Sequence, residues 1–217
     1  GTDTLEETAY FLQRVLAPSK PVVMAAAMRP ATALLTDGPQ NLLDAVVLAA
    51  EAGAAGVWLA FAGNIHAAER VRKVHSYRVD AFASTEGGPA GVIEEGRVRW
   101  LAQTNHRPAL GLQRVSRPSK DWPRVQILLN HVGADGALVR ALLAQGVDGL
   151  VVAGTGNGSL STLLEAALRE AQAQGVRILR STRCDAGPVT ASEEALPSAG
   201  ALSPVKARIE LLLELLA

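Results

Sequence analysis

The sequence is poor in cysteine, in aromatic residues and in any excess of charge. Its single cysteine, Cys184, excludes an intrachain disulfide and a cysteine-built metal cluster. Three Trp, two Tyr and three Phe make up 4% of the chain, so Leu, Val and Ala must build the core. Lys and Arg total 21 against 21 Asp and Glu, and a net charge of zero leaves no electrostatic footprint for nucleic acid or anionic lipid. No apolar run approaches the roughly 18 residues of a membrane span. What is present is a chain of 217 residues, 48% hydrophobic and 19% charged. It is too apolar for disorder and long enough for one large or two small domains.

The chain opens abruptly on Gly1-Thr2-Asp3-Thr4, directly against a helix signal. It therefore reads as a fragment or processed product of a longer protein. A signal peptide would have preceded Gly1, so localisation stays open between cytoplasm and periplasm. Thr4-Leu5-Glu6-Glu7 has the pattern of a capping box, and the spacing predicts a helix from about Thr4 to Leu16. A strand over Pro21–Ala27, a helix from Asp37 and a strand over Gly56–Ala62 make a βαβ unit. Leu42, Leu43, Val46, Val47 and Ala50 are expected to line the buried stripe of that helix. Ile65 to Lys73 reads as a short helix or turn, and Tyr77–Ala83 and Val92–Trp100 read as strands.

Residues 104–123 hold three prolines and weak periodicity, the pattern of an interdomain linker between domains at 1–103 and 124–217. In the second domain, strands are predicted at Val125–Asn130, Gly149–Ala153 and Val176–Arg180. Helices are predicted at Asp135–Ala144, Leu160–Gln174 and Val205–Leu216, giving a small three-layer α/β domain. The last helix has more apolar residues than one buried stripe needs.

Few residues invite chemistry. Thr2 and Asp3 stand before a helix, where a hydroxyl and a carboxylate could serve as nucleophile and electrostatic partner, or simply as extra cap acceptors. Lys73 is either a solvated surface charge or, if buried, a base toward a threonine hydroxyl. Gly154-Thr155-Gly156-Asn157-Gly158-Ser159 imitates a dinucleotide fingerprint, but the third glycine is Ser159 and no acid follows the next strand. A tight polar turn for another small ligand fits better. His66, His75, His106 and His131 are scattered, with no metal-binding spacing, and His66 reads as a structural turn histidine.

Taken in order, a series of motifs resembles the bacterial-type L-asparaginases. Gly1-Thr2-Asp3-Thr4-Leu5-Glu6-Glu7 is similar to that family's second signature. Ala27-Met28-Arg29-Pro30, Asp37-Gly38-Pro39, Ile65-His66-Ala67-Ala68 with Lys73, Gly156-Asn157-Gly158 and Leu202-Ser203-Pro204 continue the match along the whole chain. The resemblance implies a flavodoxin-like parallel-sheet domain, incomplete at its N-terminus, and a smaller C-terminal α/β domain. It implies an amidohydrolase that releases ammonia from asparagine through a threonine nucleophile and an acyl-enzyme.

Thr2, Asp3 and Lys73 would form the second catalytic set, with Thr2 and Asp3 also contacting substrate. Lys73 would hold or accept a proton for Thr2 or for water, Asp3 would bind the substrate amino group, and the Ala27 backbone would meet the leaving amide. Glu193 and Glu194 are both candidates for an acid donated to a neighbouring subunit, so a homo-oligomer is implied. No metal or cofactor is implied, nor a nucleic-acid or membrane partner. The family's first motif, Thr-Gly-Gly-Thr, occurs nowhere in the chain, so a missing N-terminal segment or chain is a further expected partner. Ala26 replaces the family's glycine before Ala-Met-Arg-Pro, and Ser159 its second turn asparagine. These departures leave open a glutaminase-asparaginase or a non-catalytic homologue.

Overall fold

The computed structural model describes residues 1–16, 18–104 and 106–217. It forms two compact units, Gly1–Gly111 and Leu112–Ala217. Both are α/β. Asn105, within the expected linker, lies outside the described residues. The remainder of that stretch carries two short 3-10 turns, Leu112–Val115 and Ser119–Asp121.

The first unit runs α1 (Leu5–Val15), β1 (Pro21–Ala25), α2 (Gly38–Ala49), β2 (Gly56–Phe61), β3 (Asn64–Ala67), β4 (Val71–Lys73), β5 (Phe82–Ser84), β6 (Gly91–Glu94) and β7 (Arg97–Trp100). The main sheet has the order β1-β2-β3-β6-β7. Its β1–β2 pair is parallel, as the βαβ pattern requires, and the remaining pairs are antiparallel. β2 is buried along its whole length. Its side chains alternate: Leu59 and Phe61 pack with Leu5, Val71 and Phe82, while Trp58 and Ala60 pack with Ala45, Leu48 and Ile65 of the α2 side.

Several local expectations are corrected. Ile65 to Lys73 is not helical: it is β3 and β4, and His66 is a strand residue rather than a turn residue. Only Phe82–Ser84 of the next predicted strand is extended, and Val92–Trp100 is two strands folded into a hairpin. Both hairpins of the main sheet turn through two residues of positive φ, Ala62-Gly63 and Glu95-Gly96. That geometry matches the right-handed twist of the strands, though neither pair is the usual Asn-Gly. The capping box does not form, because Thr4 makes no side-chain cap bond. The α2 stripe is also different: Asn41, Asp44, Ala45 and Leu48 are buried, while Leu42, Leu43 and Val46 are more than half exposed and Ala50 is exposed.

The second unit contains β8 (Val125–Leu129), α3 (Ala137–Ala144), β9 (Gly149–Gly154), α4 (Thr162–Ala173), β10 (Arg177–Thr182) and α5 (Pro204–Leu215). Its sheet, β10-β9-β8, is wholly parallel. One face packs Leu128, Leu150, Val152 and Ile178 against Val139 of α3 and Leu164 and Leu168 of α4. α5 covers the other face, where Leu211 stands so close to Gly149 that a Cβ there would lie 2.9 Å from it. Ser203 caps α5 through the Lys206 amide, with Pro204 in the first turn. Ile209, Leu211, Leu212, Leu213 and Leu216 are all buried, so the apolar surplus of α5 is absorbed within the unit.

Asn41, 2% exposed, is a buried polar residue that joins three segments of the first unit. Its Nδ2 donates to Ala26 O at 2.9 Å and to Asp37 Oδ2 at 3.3 Å, and its Oδ1 accepts from Ala62 N at 2.9 Å. Replacing it with Leu removes the side-chain partner of a part-buried carbonyl and of a part-buried amide. Asn41→Leu is therefore expected to cost about 3 kcal/mol, measured as a lowered urea midpoint. Leu43→Ala on the exposed face should cost under about 0.5 kcal/mol. Equal effects of the two would contradict this account.

Candidate active site

Thr2 precedes α1 and Lys73 ends β4, and α1 packs against β2 and β4 to bring the two together. Lys73 Nζ donates to Thr2 Oγ1 at 2.9 Å and to Asp3 Oδ1 at 3.2 Å. Lys73 N donates to Glu6 Oε1 at 3.2 Å, so both main chain and side chain of the lysine are held by the start of α1. Glu6, in the first turn of α1, is thereby turned toward β4. The Lys73 side chain is 19% exposed and that of Asp3 96% exposed. A pair so open on one side adds little to stability, and it leaves the carboxylate accessible to a ligand.

Beneath these groups lies an apolar floor of Leu5, Phe61, Val71, Ala81 and Phe82, with Met24, Ala26 and Met28 against it. Phe61 and Phe82 meet edge to face, centroids 4.9 Å apart. Phe82 pairs directly with Lys73 across β4–β5, so the floor sets the strand that carries the lysine.

Ala27, expected to present its backbone to the leaving amide, follows the carboxyl end of β1. The turn after it is pinned by Asp37, whose Oδ2 and Oδ1 accept from Met28 N at 2.8 Å and Arg29 N at 2.9 Å. Burial pushes the Asp37 carboxyl up, but the amides of Met28, Arg29 and Asp37 itself, with the Arg29 charge, outweigh it and hold the group below its ordinary value. Arg29 also donates to Tyr77 O at 2.7 Å and lies 4.3 Å over the Tyr77 ring, tying this turn to the loop after Lys73. The signal for Asp37 and Asn41 was present in the sequence as a helix start, but their partners lie on other elements.

Thr2, Asp3 and Lys73 are thus brought together. Glu193 and Glu194 lie in the second unit, both exposed in a turn after β10. The glycine-rich turn there is closed by paired Thr155 and Ser159 backbones, and Arg180 and Thr182 of β10 bind its carbonyls. A Cβ on Gly154 would lie 2.5 Å from the Gly158 backbone, so the turn folds directly over the end of β9. Among the described residues no cluster of His, Cys, Asp and Glu could hold a metal ion, and no helix is long and apolar enough to cross a membrane.

Comparison with known proteins places this geometry in a family. The family model for the asparaginase N-terminal domain matches residues 1–106, and that for the glutaminase/asparaginase C-terminal domain matches residues 124–217. The chain is 36% identical over 218 residues to the glutaminase-asparaginase of Pseudomonas fluorescens biotype A, covering 96% of this chain and 60% of that protein. It is 35% identical over 223 residues to L-asparaginase 2 of Escherichia coli (strain K12), covering 99% and 64%. The crystal structure of a probable cytoplasmic L-asparaginase from Campylobacter jejuni superposes with a TM-score of 0.91 at 39% identity, covering 99% of this chain and 72% of that one. The chain belongs to the asparaginase family. It spans 60% and 64% of the length of the two curated relatives.

His66, beside this site in the resemblance, has a different part. It is 2% exposed, its Nδ1 lies 2.8 Å from Ser84 Oγ, and burial lowers its pKa to about 4. The unfolded chain binds the proton first, near the ordinary value of 6.5. Stability is therefore full above about pH 6.5 and is lost as the pH falls toward 4, by about 3 kcal/mol in all. His66→Gln should flatten that slope in urea titrations between pH 7 and 4; an unchanged slope would show that another group carries it.

Proposed function

We propose that the chain is the Thr2-Asp3-Lys73 portion of an enzyme that hydrolyses L-asparagine to L-aspartate and ammonia. The observation that carries this reading is the 2.9 Å contact between Lys73 Nζ and Thr2 Oγ1, with Asp3 Oδ1 3.2 Å from the same nitrogen. A hydroxyl, an amine and a carboxylate so placed can move one proton at a reacting centre. In the reaction proposed, a threonine oxygen bonds to the side-chain amide carbon, and the amide nitrogen leaves as ammonia with the transferred proton. Water then cleaves the acyl ester to free the carboxylate.

Asp3 has two roles that couple. It accepts from Lys73 Nζ at 3.2 Å, and its exposed face can receive the amino group of a bound substrate, so one carboxylate holds lysine and substrate in register. The similarity to an enzyme named glutaminase-asparaginase supports a second reading, in which glutamine is also accepted. Comparing kcat/KM for the two amides decides between them.

The test is Lys73→Met in the complete protein. It should lower kcat on asparagine by about a thousandfold while leaving the unfolding midpoint near that of the parent. The 217-residue chain alone, which contains no Thr-Gly-Gly-Thr motif, should release no ammonia at an enzymatic rate. Wild-type turnover by Lys73→Met would reduce Lys73 to a surface charge. An inactive complete protein would favour a non-catalytic homologue.

The same reading includes a homo-oligomer in which Glu193 or Glu194 reaches a neighbouring site. Its support is the face of α2, where Leu42, Leu43 and Val46 are 60%, 56% and 59% exposed, beside Leu34 at 98% and Leu35 at 84%. The complete protein should scatter light as a multiple of its chain mass at micromolar concentration, and Leu42→Glu with Val46→Glu should lower that mass. A strictly monomeric parent would remove both glutamates from the site.

A further inference from the structure

The first unit has a second concavity at the opposite end of its sheet from Lys73. Thr2, Ala27 and Asn41 gather where β1 and β2 finish; this cleft opens where β2 begins. It encloses about 600 Å³, within the range of small-molecule sites. Its walls are the turn between α2 and β2, at Ala54 and Ala55, and the segment after β7, with Gln103, Thr104 and His106.

Three rings give the cleft its character. Trp58 and Trp100 lie 5.1 Å apart at 56°, and Trp58 meets His106 at 5.2 Å and 80°. Trp58 is 3% exposed and its Nε1 donates to Ala54 O at 2.9 Å, so it is a satisfied ring that supports Trp100. Trp100 is 38% exposed, an unusual state for an indole in so aromatic-poor a chain. The walls are preformed: Leu101 N and Ala102 N both donate to Ala90 O, and Arg107 N donates to Glu69 Oε1 at 2.6 Å. His106 is lodged against Gly56, where a Cβ would lie 2.9 Å from its Nε2.

Charge selects the ligand. None of the lining residues is Asp, Glu, Lys or Arg. Glu69, whose side chain is 14% exposed, lies 3.8 Å from His106 Nδ1, accepts from Arg107 N at 2.6 Å and does not line the cleft. A charged molecule would lose hydration without a partner. A flat uncharged ring gains stacking surface on Trp100 and can hydrogen-bond to the Gln103 amide and Thr104 hydroxyl. We propose that this cleft is a second ligand site, separate from the Thr2-Lys73 centre, which binds an uncharged planar ring.

Indole titrated into the complete protein tests it, followed by the tryptophan side-chain N–H signals assigned through single Trp→Phe substitutions. The Trp58 and Trp100 signals should shift saturably below about 10 mM, with Trp122, in the second unit, unmoved as the internal control. Indole-3-acetate and tryptamine should bind more weakly than indole. Trp100→Ala should weaken binding by about tenfold or more. Ala102→Phe, which fills the cleft without removing an aromatic, should do the same and decides the matter should Trp100→Ala fail to fold. No saturable shift by about 10 mM, or equal affinity in the parent and in Ala102→Phe, would overturn the proposal. Turnover of asparagine is measured separately, so neither result depends on the activity proposed above.

Discussion

Two polar side chains one helical turn apart, Asp37 and Asn41, hold the ends of the first unit's parallel strands where the candidate chemistry gathers. Asp37 fixes the turn after β1 through two amides. Asn41 joins that turn to the β2–β3 hairpin by bonding Ala26 O and Ala62 N. The Ala62 backbone has φ of 49°, a left-handed conformation costly to a residue with a Cβ. A buried amide partner helps to fix that conformation, and the hairpin it permits brings β3 beside β2. Ala27 lies between these anchors, so its backbone is set by groups that touch neither Thr2 nor Lys73.

The candidate trio of Thr2, Asp3 and Lys73 is organised by the start of α1 and by β4. Glu6, in the first turn of α1, receives the main-chain amide of Lys73. The lysine's position is useful only because β4 rests on Phe61, Val71 and Phe82, which fix its height above the core. The lysine is then held at both ends of its side chain: at the backbone by Glu6 and at the nitrogen by Thr2 and Asp3. Of those contacts Asp3 is the most open to solvent, its side chain 96% exposed.

The sequence revealed the elements whose signal is local. The βαβ unit, the parallel strands of the second unit and the Ser203-Pro204 helix start all rest on periodicity or a cap within a few residues, and the structure has them. Two kinds of information were illegible. The hairpins turn on Ala62-Gly63 and Glu95-Gly96, pairs without the Asn-Gly or Asp-Gly signature, so β3 and β4 read as a short helix or turn and β6 and β7 as one strand. The α2 face was misread because hydrophobicity alone assigns Leu42, Leu43 and Val46 to the core, whereas tertiary hydrogen bonds turn Asn41 inward. Among site residues, Thr2, Asp3 and Lys73 could be grouped only through the family resemblance. Glu6 at Lys73 N and Arg29 on Tyr77 span 67 and 48 positions, and no spacing rule reaches that far.

The two ends of the sheet make different demands on the residues that build them. Where β1 and β2 finish, the groups are polar, and their geometry depends on long-range hydrogen bonds made by buried Asn41 and half-buried Asp37. Where β2 begins, two of the three tryptophans of an aromatic-poor chain meet a histidine: Trp58 lies 5.1 Å from Trp100 and 5.2 Å from His106. Packing Trp58 requires only small neighbours, and Ala54, Ala60 and Ala67 supply them around it. Trp100 has no such need, since it stands on an edge strand and remains partly open. A core built from Leu, Val and Ala could have been closed there with an aliphatic residue. An indole kept at the rim instead gives that end of the sheet a flat surface suited to stacking, while the chemistry at the other end stays polar and accessible.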